Sequence, residues 1–189
     1  MAISSTSGVR QQPVSTQGTK TGSAKSAKKD NTLFTYDKKI DTNGDGKLDT
    51  VTYTCDKKTG KITKKAIDTD GDGVVDKTVT YNKKTGKVTK KEIDTNGDGK
   101  ADKTVTYTRN TKGKVTKKEI DTNGDGKADT TVKYEYKFGK LTQKTVDKKG
   151  KKNDYTVKYE YNKRGLSKET AYGSDGKKIY SIKHGIVFH

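Results

Sequence analysis

The chain has no tryptophan and only one proline, one cysteine and one methionine in 189 residues. Leucine, isoleucine, valine and phenylalanine together make 15% of it, under the roughly 20% at which a highly charged chain is expected to be disordered. A two-layer core needs far more apolar side chain than this, so a compact α/β enzyme is not expected. No apolar run approaches the roughly 18 residues of a membrane-spanning helix. The single cysteine, Cys55, rules out an intrachain disulfide and leaves an inert thiol or an interchain bridge. The two histidines, His184 and His189, are too few and too isolated for a zinc or catalytic centre. With no acid/base constellation in view, the chain reads as non-enzymatic. Acidic residues are also in deficit, and the formal net charge is +18, nearly all from lysine. Arginine occurs only at Arg10, Arg109 and Arg164.

What the chain does have is a repeat. The segment DTNGDGKLD at 41–49 recurs as DTDGDGVVD at 68–76 and as DTNGDGKAD at 94–102 and 121–129. Successive copies start 26 or 27 residues apart. KITKKAI or KVTKKEI precedes the last three copies, and TVTYT, TVTYN, TVTYT and TVKYE follow the four in turn. Short turns separate the units: KKTG at 57–60, KKTG at 83–86 and NTKG at 110–113. Two further units keep the period with degenerate loops near 147–154 and 172–178. Self-similarity at a fixed period of this length marks a repeat architecture.

The flanks are rich in β-branched and aromatic residues, which favours strands. Val51/Tyr53, Val79/Tyr81, Val105/Tyr107, Val132/Tyr134 and Val157/Tyr159 lie two apart, so each pair shares a strand face. Thr52, Thr80 and Thr106 face the other way. In the strand before each loop the pattern is broken. Val88 and Ile93 are five apart and fall on opposite faces unless a bulge intervenes. The expectation is that Val88 joins the Val/Tyr face and Ile93 packs against the loop base. Only 17 to 18 residues separate successive loops, with a glycine turn between, which is too short for helix–loop–helix units.

The expected fold is therefore all-β: about six tandem β-hairpin repeats over residues 31–189, forming an elongated meander or a β-solenoid. Such an array needs an apolar stripe rather than a globular core, because each unit rests on its neighbours. Leu33, Phe34 and Tyr36 at one end, and Ile179, Tyr180, Ile182, Ile186, Val187 and Phe188 at the other, are expected either to cap the array or to act as sticky edges. Residues 1–30 are Ser/Thr-rich, with five Lys/Arg and one acid, and read as a flexible, disordered basic tail.

The loops follow D-x-[DN]-x-D-G-x-x-D. Hard Ca²⁺ takes six to eight oxygen ligands, and loops of this kind supply them from positions 1, 3, 5, the carbonyl at 7 and a later acid. The candidate sets are Asp41, Asn43, Asp45, Lys47 and Asp49; Asp68, Asp70, Asp72, Val74 and Asp76; Asp94, Asn96, Asp98, Lys100 and Asp102; and Asp121, Asn123, Asp125, Lys127 and Asp129. Glycine holds position 6 in all four, where the chain turns around the ion. Position 12, where an EF-hand carries a bidentate glutamate, is Thr52, Val79, Val105 or Val132. The alternative is that NGDG is only a hairpin turn signal. Against it, the last two units turn through KKGKK and GSDGKK without the acid set.

The strand–DxDxDGxxD–strand arrangement resembles the calcium-binding hairpin loops of integrin-type FG-GAP repeats. The loop alone is similar to those of dockerins and thrombospondin type 3 repeats. YEYNKRGLSKETAYGSDGKKIY at 159–180 resembles bacterial YD (RHS-type) repeats, which are β-hairpin strips. These resemblances imply calcium as the bound ion and the ligand roles assigned above.

The expected function is a calcium-binding secreted or cell-surface protein with a structural, adhesive or matrix role. The lysine-rich surface leaves open a module for anionic polymers or surfaces, although no specific nucleic-acid motif is present. The terminal strands leave open a homo-oligomer or filament. Extracellular or cell-surface placement follows from the calcium loops. The first fifteen residues show no signal-peptide apolar region, and the acid-poor Ser/Thr-rich start would suit an export signal of the type III kind.

Overall fold

A computed structural model describes residues 32–150 and 154–184. The tail at 1–30 and the residues Ile186, Val187 and Phe188 lie outside them. The described residues form twelve strands and no helix: β1 (Leu33–Ile40), β2 (Asp49–Asp56), β3 (Ile62–Asp68), β4 (Lys77–Tyr81), β5 (Val88–Ile93), β6 (Lys103–Arg109), β7 (Val115–Asp121), β8 (Thr130–Lys137), β9 (Lys140–Lys148), β10 (Tyr155–Asn162), β11 (Gly165–Gly173) and β12 (Lys178–Lys183). They make one sheet in chain order, each strand pairing with the next. The array is an open meander of six hairpins, not a solenoid. The long loops all fall at one end of the strands and the tight turns at the other.

The core is one face of this sheet. Val51, Cys55, Ile67, Val79, Val105, Val132, Val146, Val157 and Ala171 are buried. The pairing puts them on a common side: Val51 lies opposite Ile67, Val132 opposite Val146 and Val157 opposite Ala171. Between these rows, the strand before each loop inserts a lysine. Lys65 lies between Tyr53 and Val79, Lys91 between Val79 and Val105, and Lys144 between Tyr134 and Val157. Their methylene stems cover apolar surface while the ammonium reaches solvent. Lys65 Nζ sits 5.9 Å from the ring centre of Tyr53 and Lys144 Nζ 5.9 Å from that of Tyr155.

The broken pattern before the loops is resolved by a bulge. In each of the five turn-closed hairpins the register slips once, at Thr54/Cys55, Thr80/Tyr81, Thr108/Arg109, Glu135/Tyr136 and Glu160/Tyr161. The residue skipped on the opposite strand is Thr63, Thr89, Thr116, Thr142 or Ser167. Each skipped residue donates its hydroxyl to the carbonyl across the bulge: Thr63 to Thr54 at 3.1 Å, Thr89 to Thr80 at 3.2 Å, Thr116 to Thr108 at 3.4 Å, Thr142 to Glu135 at 3.2 Å and Ser167 to Glu160 at 3.1 Å. With Thr89 skipped, Val88 faces Tyr81 and Ile93 faces Lys77, so both stand on the Val79 side. Val88 thus joins the Val/Tyr face as expected, and Ile93 shares that face.

The turns are linked to one another. Lys61 Nζ donates to the Lys84 carbonyl at 3.1 Å, Lys87 Nζ to the Gly113 carbonyl at 3.1 Å and Lys114 Nζ to the Gly139 carbonyl at 2.5 Å. Of the residues expected at the array ends, Leu33 on the edge strand β1 is half-buried, whereas Phe34 at 41%, Tyr36 at 38%, Ile179 at 61% and Ile182 at 47% stay exposed on the edge strands. Tyr36 still stacks on Tyr53 at 5.1 Å between ring centres.

Thr89→Val keeps the shape and removes the hydroxyl that closes the bulge. It is expected to destabilise the chain by about 1 kcal/mol, the net worth of one hydrogen bond. Chemical denaturation checks this, and hydrogen exchange should show the loss concentrated in β4 and β5.

Candidate metal sites

Each of the four loops leaves the last residue of one strand and re-enters the sheet nine residues later, or ten in the third loop. All four carry the same internal hydrogen bonds. The position-1 carboxylate accepts two glycine amides, one on each oxygen: Gly44 and Gly46 on Asp41 at 2.6 and 3.0 Å, and Gly71 and Gly73 on Asp68 at 2.7 and 3.1 Å. Gly97 and Gly99 bond Asp94 at 2.9 and 2.7 Å, and Gly124 and Gly126 bond Asp121 at 2.8 and 2.9 Å. The position-3 oxygen accepts the amide of position 5, as from Asp45 to Asn43 at 2.9 Å, Asp72 to Asp70 at 3.2 Å, Asp98 to Asn96 at 2.9 Å and Asp125 to Asn123 at 3.1 Å. The position-5 carboxylate accepts the amide of position 7, from Lys47, Val74, Lys100 or Lys127 at 2.7–2.8 Å.

Position 9 closes the loop. One oxygen of Asp49, Asp76, Asp102 or Asp129 accepts the amide of position 2 at 2.6–2.8 Å, together with that threonine's hydroxyl. In the third loop the other oxygen, Asp102 Oδ1, accepts from Asn96 Nδ2 at 3.2 Å, so the position-9 acid lies beside the position-3 side chain. In the second loop oxygens of Asp68, Asp70 and Asp76 lie within 4.8 Å of one another. Asp72, bound to the Val74 amide, stands outside that cluster. Asparagine at positions 43, 96 and 123 leaves the other loops one acid poorer.

Two observations test whether an oxygen-seeking cation fits. The first is that three-acid cluster. The second is Asp49, whose side chain is 1% exposed and whose Oδ1 has no hydrogen-bond partner. A buried carboxylate oxygen without a partner is costly unless something cationic meets it. The donor set is all oxygen, which suits Ca²⁺ rather than a soft metal. The backbone amides of Gly44 and Gly46 hold the Asp41 carboxyl below its ordinary value of 3.8. The Thr95 hydroxyl and amide do the same for Asp102. Both groups are therefore ionised at neutral pH, as a ligand must be. The second loop fits best: Asp68, Asp70 and Asp76 at positions 1, 3 and 9 would hold the ion through side chains, with the Val74 carbonyl at position 7, and Asp72 would join only by turning in from outside the cluster.

The degenerate fifth loop keeps one of these bonds, the Lys148 amide to Asp154 at 2.7 Å. A closing acid is thus part of the hairpin's architecture, whereas the remaining acids are extra. Neighbouring loops also touch. A Cβ at Gly124 would lie 2.9 Å from the Ala101 carbonyl of the preceding loop. The aspartate spacing carried most of this geometry in the sequence; the Thr42–Asp49 type of clasp did not stand out, since threonine is common throughout the chain.

A family model described as EF hand matches residues 38–50 and 65–78. These stretches are strand ends and the first two loops, so the likeness is of the loop and not of a helix pair. No curated protein matches the chain. Loop sequence and acid cluster together define a calcium-binding type of β-hairpin repeat.

Two outcomes follow. Because Asp41 is held low, its stabilisation is present above pH 3.8 and is lost as pH falls through its native value. Melting of the calcium-free chain should therefore weaken on acidification below about pH 4. Gly126, at φ 79° with open space around it, should lose about 1 kcal/mol on change to alanine. Gly124→Ala, at φ 71° and blocked by Ala101, should lose more, and paired thermal melts compare the two.

Proposed function

We propose that this chain is a calcium-stabilised, non-enzymatic repeat protein that works outside the cell or on its surface in a structural, adhesive or matrix role. The observation that carries the reading is the fourfold recurrence of one hydrogen-bonded loop at one end of one sheet. Three of the loops offer three carboxylates and an asparagine, and only the second offers four carboxylates. With no bidentate glutamate, affinity is expected in the weak extracellular range of roughly 10⁻⁴–10⁻³ M. Sites of that strength fill outside cells and stay empty in cytosol, which supports the extracellular placement. The strand–loop–strand units support an FG-GAP-like reading of the calcium hairpins, and the tight hairpins near the C-terminus a YD-like one.

Ions that bind the folded loops stabilise the sheet by mass action. A tenfold excess over Kd contributes about 1.4 kcal/mol per loop. The melting midpoint should accordingly rise with calcium and fall back in EGTA; an unchanged midpoint refutes the reading. Asp70→Asn gives the second loop the charge of the other three and should reduce its calcium affinity toward theirs.

A second reading, self-assembly into fibres, has one observation of its own. Both sheet edges carry exposed apolar residues, and an even number of strands makes β1 and β12 run in opposite directions. A second copy placed head to tail would continue the sheet antiparallel with its core face on the same side. Size-exclusion chromatography and electron microscopy with and without calcium test this. A strict monomer at high concentration refutes it.

A further inference from the structure

The turn end of the sheet, opposite the calcium loops, combines two features that the loops do not explain. The first is charge. The five turns from Asp56 to Gly165 hold twelve lysines and arginines and a single acid, Asp56. The second is Phe138. It occupies the tip of the two-residue turn between β8 and β9, where Lys137 pairs with Lys140. Its side chain is 92% exposed, the most of any large hydrophobic residue among those described.

Phe138 also has φ +49°, and it is the only non-glycine residue with positive φ among those described. Gly139 follows at φ +79°. Positive φ at both central residues marks a hairpin turn that prefers asparagine followed by glycine. A bulky side chain there is strained. Among the described residues nothing rewards that strain, since the ring is almost wholly exposed. Lys137 Nζ stands 5.8 Å from the ring centre. The turn itself is fixed, because Lys114 Nζ reaches over from the previous turn to the Gly139 carbonyl. A strained residue on a fixed turn, presenting an apolar ring among cations, has the form of an anchor.

We propose that this turn end docks on an anionic lipid bilayer, with Phe138 entering the boundary between headgroups and acyl chains. Lys112, Lys137, Lys163 and Arg164, exposed on the same and the two adjacent turns, would face the anionic headgroups. An apolar side chain together with a polybasic cluster is the combination that holds a protein at such a surface without spanning it. A single-stranded nucleic acid fits less well. It needs free aromatic faces for stacking, and the nearby rings of Tyr107, Tyr136 and Tyr161 already carry Arg109, Lys114 and Lys140 at 5.0–5.9 Å. The inference does not rest on the calcium reading, because the loops lie at the other end of the strands.

The test uses the full chain, in EGTA, with phosphatidylcholine vesicles prepared with and without phosphatidylserine. Bound protein is read by co-sedimentation. Binding is expected only with phosphatidylserine and should weaken as salt rises. Phe138→Asn should weaken it about tenfold or more, the worth of burying one aromatic ring. Lys137→Ser should weaken it about fivefold. Because asparagine suits the positive φ, Phe138→Asn should melt no lower than the parent, which separates lost docking from lost folding. Absence of binding to phosphatidylserine vesicles overturns the proposal. So does parental binding by Phe138→Asn, binding that appears only with calcium, or Phe138-dependent binding to single-stranded DNA without binding to vesicles.

Discussion

One skipped hydroxyl residue per hairpin decides where the apolar side chains of this protein go. Without the bulge at Thr63, Thr89, Thr116, Thr142 or Ser167, the residue before it would turn to the opposite face. Each strand would then split its few apolar groups between two sides. With the bulge, Ile62 joins Ile67 and Val88 joins Ile93 on the side of Val51 and Val79. The chain has so few core residues that it can cover only one face, and the bulge lets it do so. The hydroxyl bond across each bulge satisfies a carbonyl that the slipped ladder would otherwise leave open.

A one-layer sheet then depends on what lies along its length. Among the described residues there is no second layer, so each hairpin rests on the hairpins beside it. The lysine stems laid between valine and tyrosine rows replace some of the missing packing, and the Lys61, Lys87 and Lys114 bonds tie successive turns together. The loops do the same at the other end through contacts such as Gly124 against Ala101. The meander also sorts its charge: the aspartates gather in the loops and lysines crowd the turns. Divalent cations held there would relieve the repulsion at the acidic end, which would link ion binding to sheet stability.

Much of this was legible in the sequence. The fourfold DxDxDGxxD motif and its fixed spacing gave the loops, and the Val/Tyr alternation gave the strands and the shared face. The position of Ile93 was not legible, because a bulge depends on pairing register, which a single strand does not contain. Nor was the burial of Asp49, which reflects the shorter step from that acid to Val51 than from Asp76 to Val79. The terminal apolar residues were legible as either caps or sticky edges, and Phe34, Tyr36, Ile179 and Ile182 lie exposed on the edge strands. Phe138 is not marked in the sequence, because KFGK has the same charged, glycine-bearing form as the other turns; only its backbone angle and exposure set it apart.

Four like loops on one sheet are expected to bind calcium and thereby hold it together. Calcium titration by isothermal calorimetry, run alongside circular dichroism of the same samples, measures both parts at once. Binding at four sites per chain with weak affinity is expected, accompanied by a gain of β signal or of its resistance to heat. Heat of binding indistinguishable from dilution, or binding that leaves the sheet's stability unchanged, would contradict it.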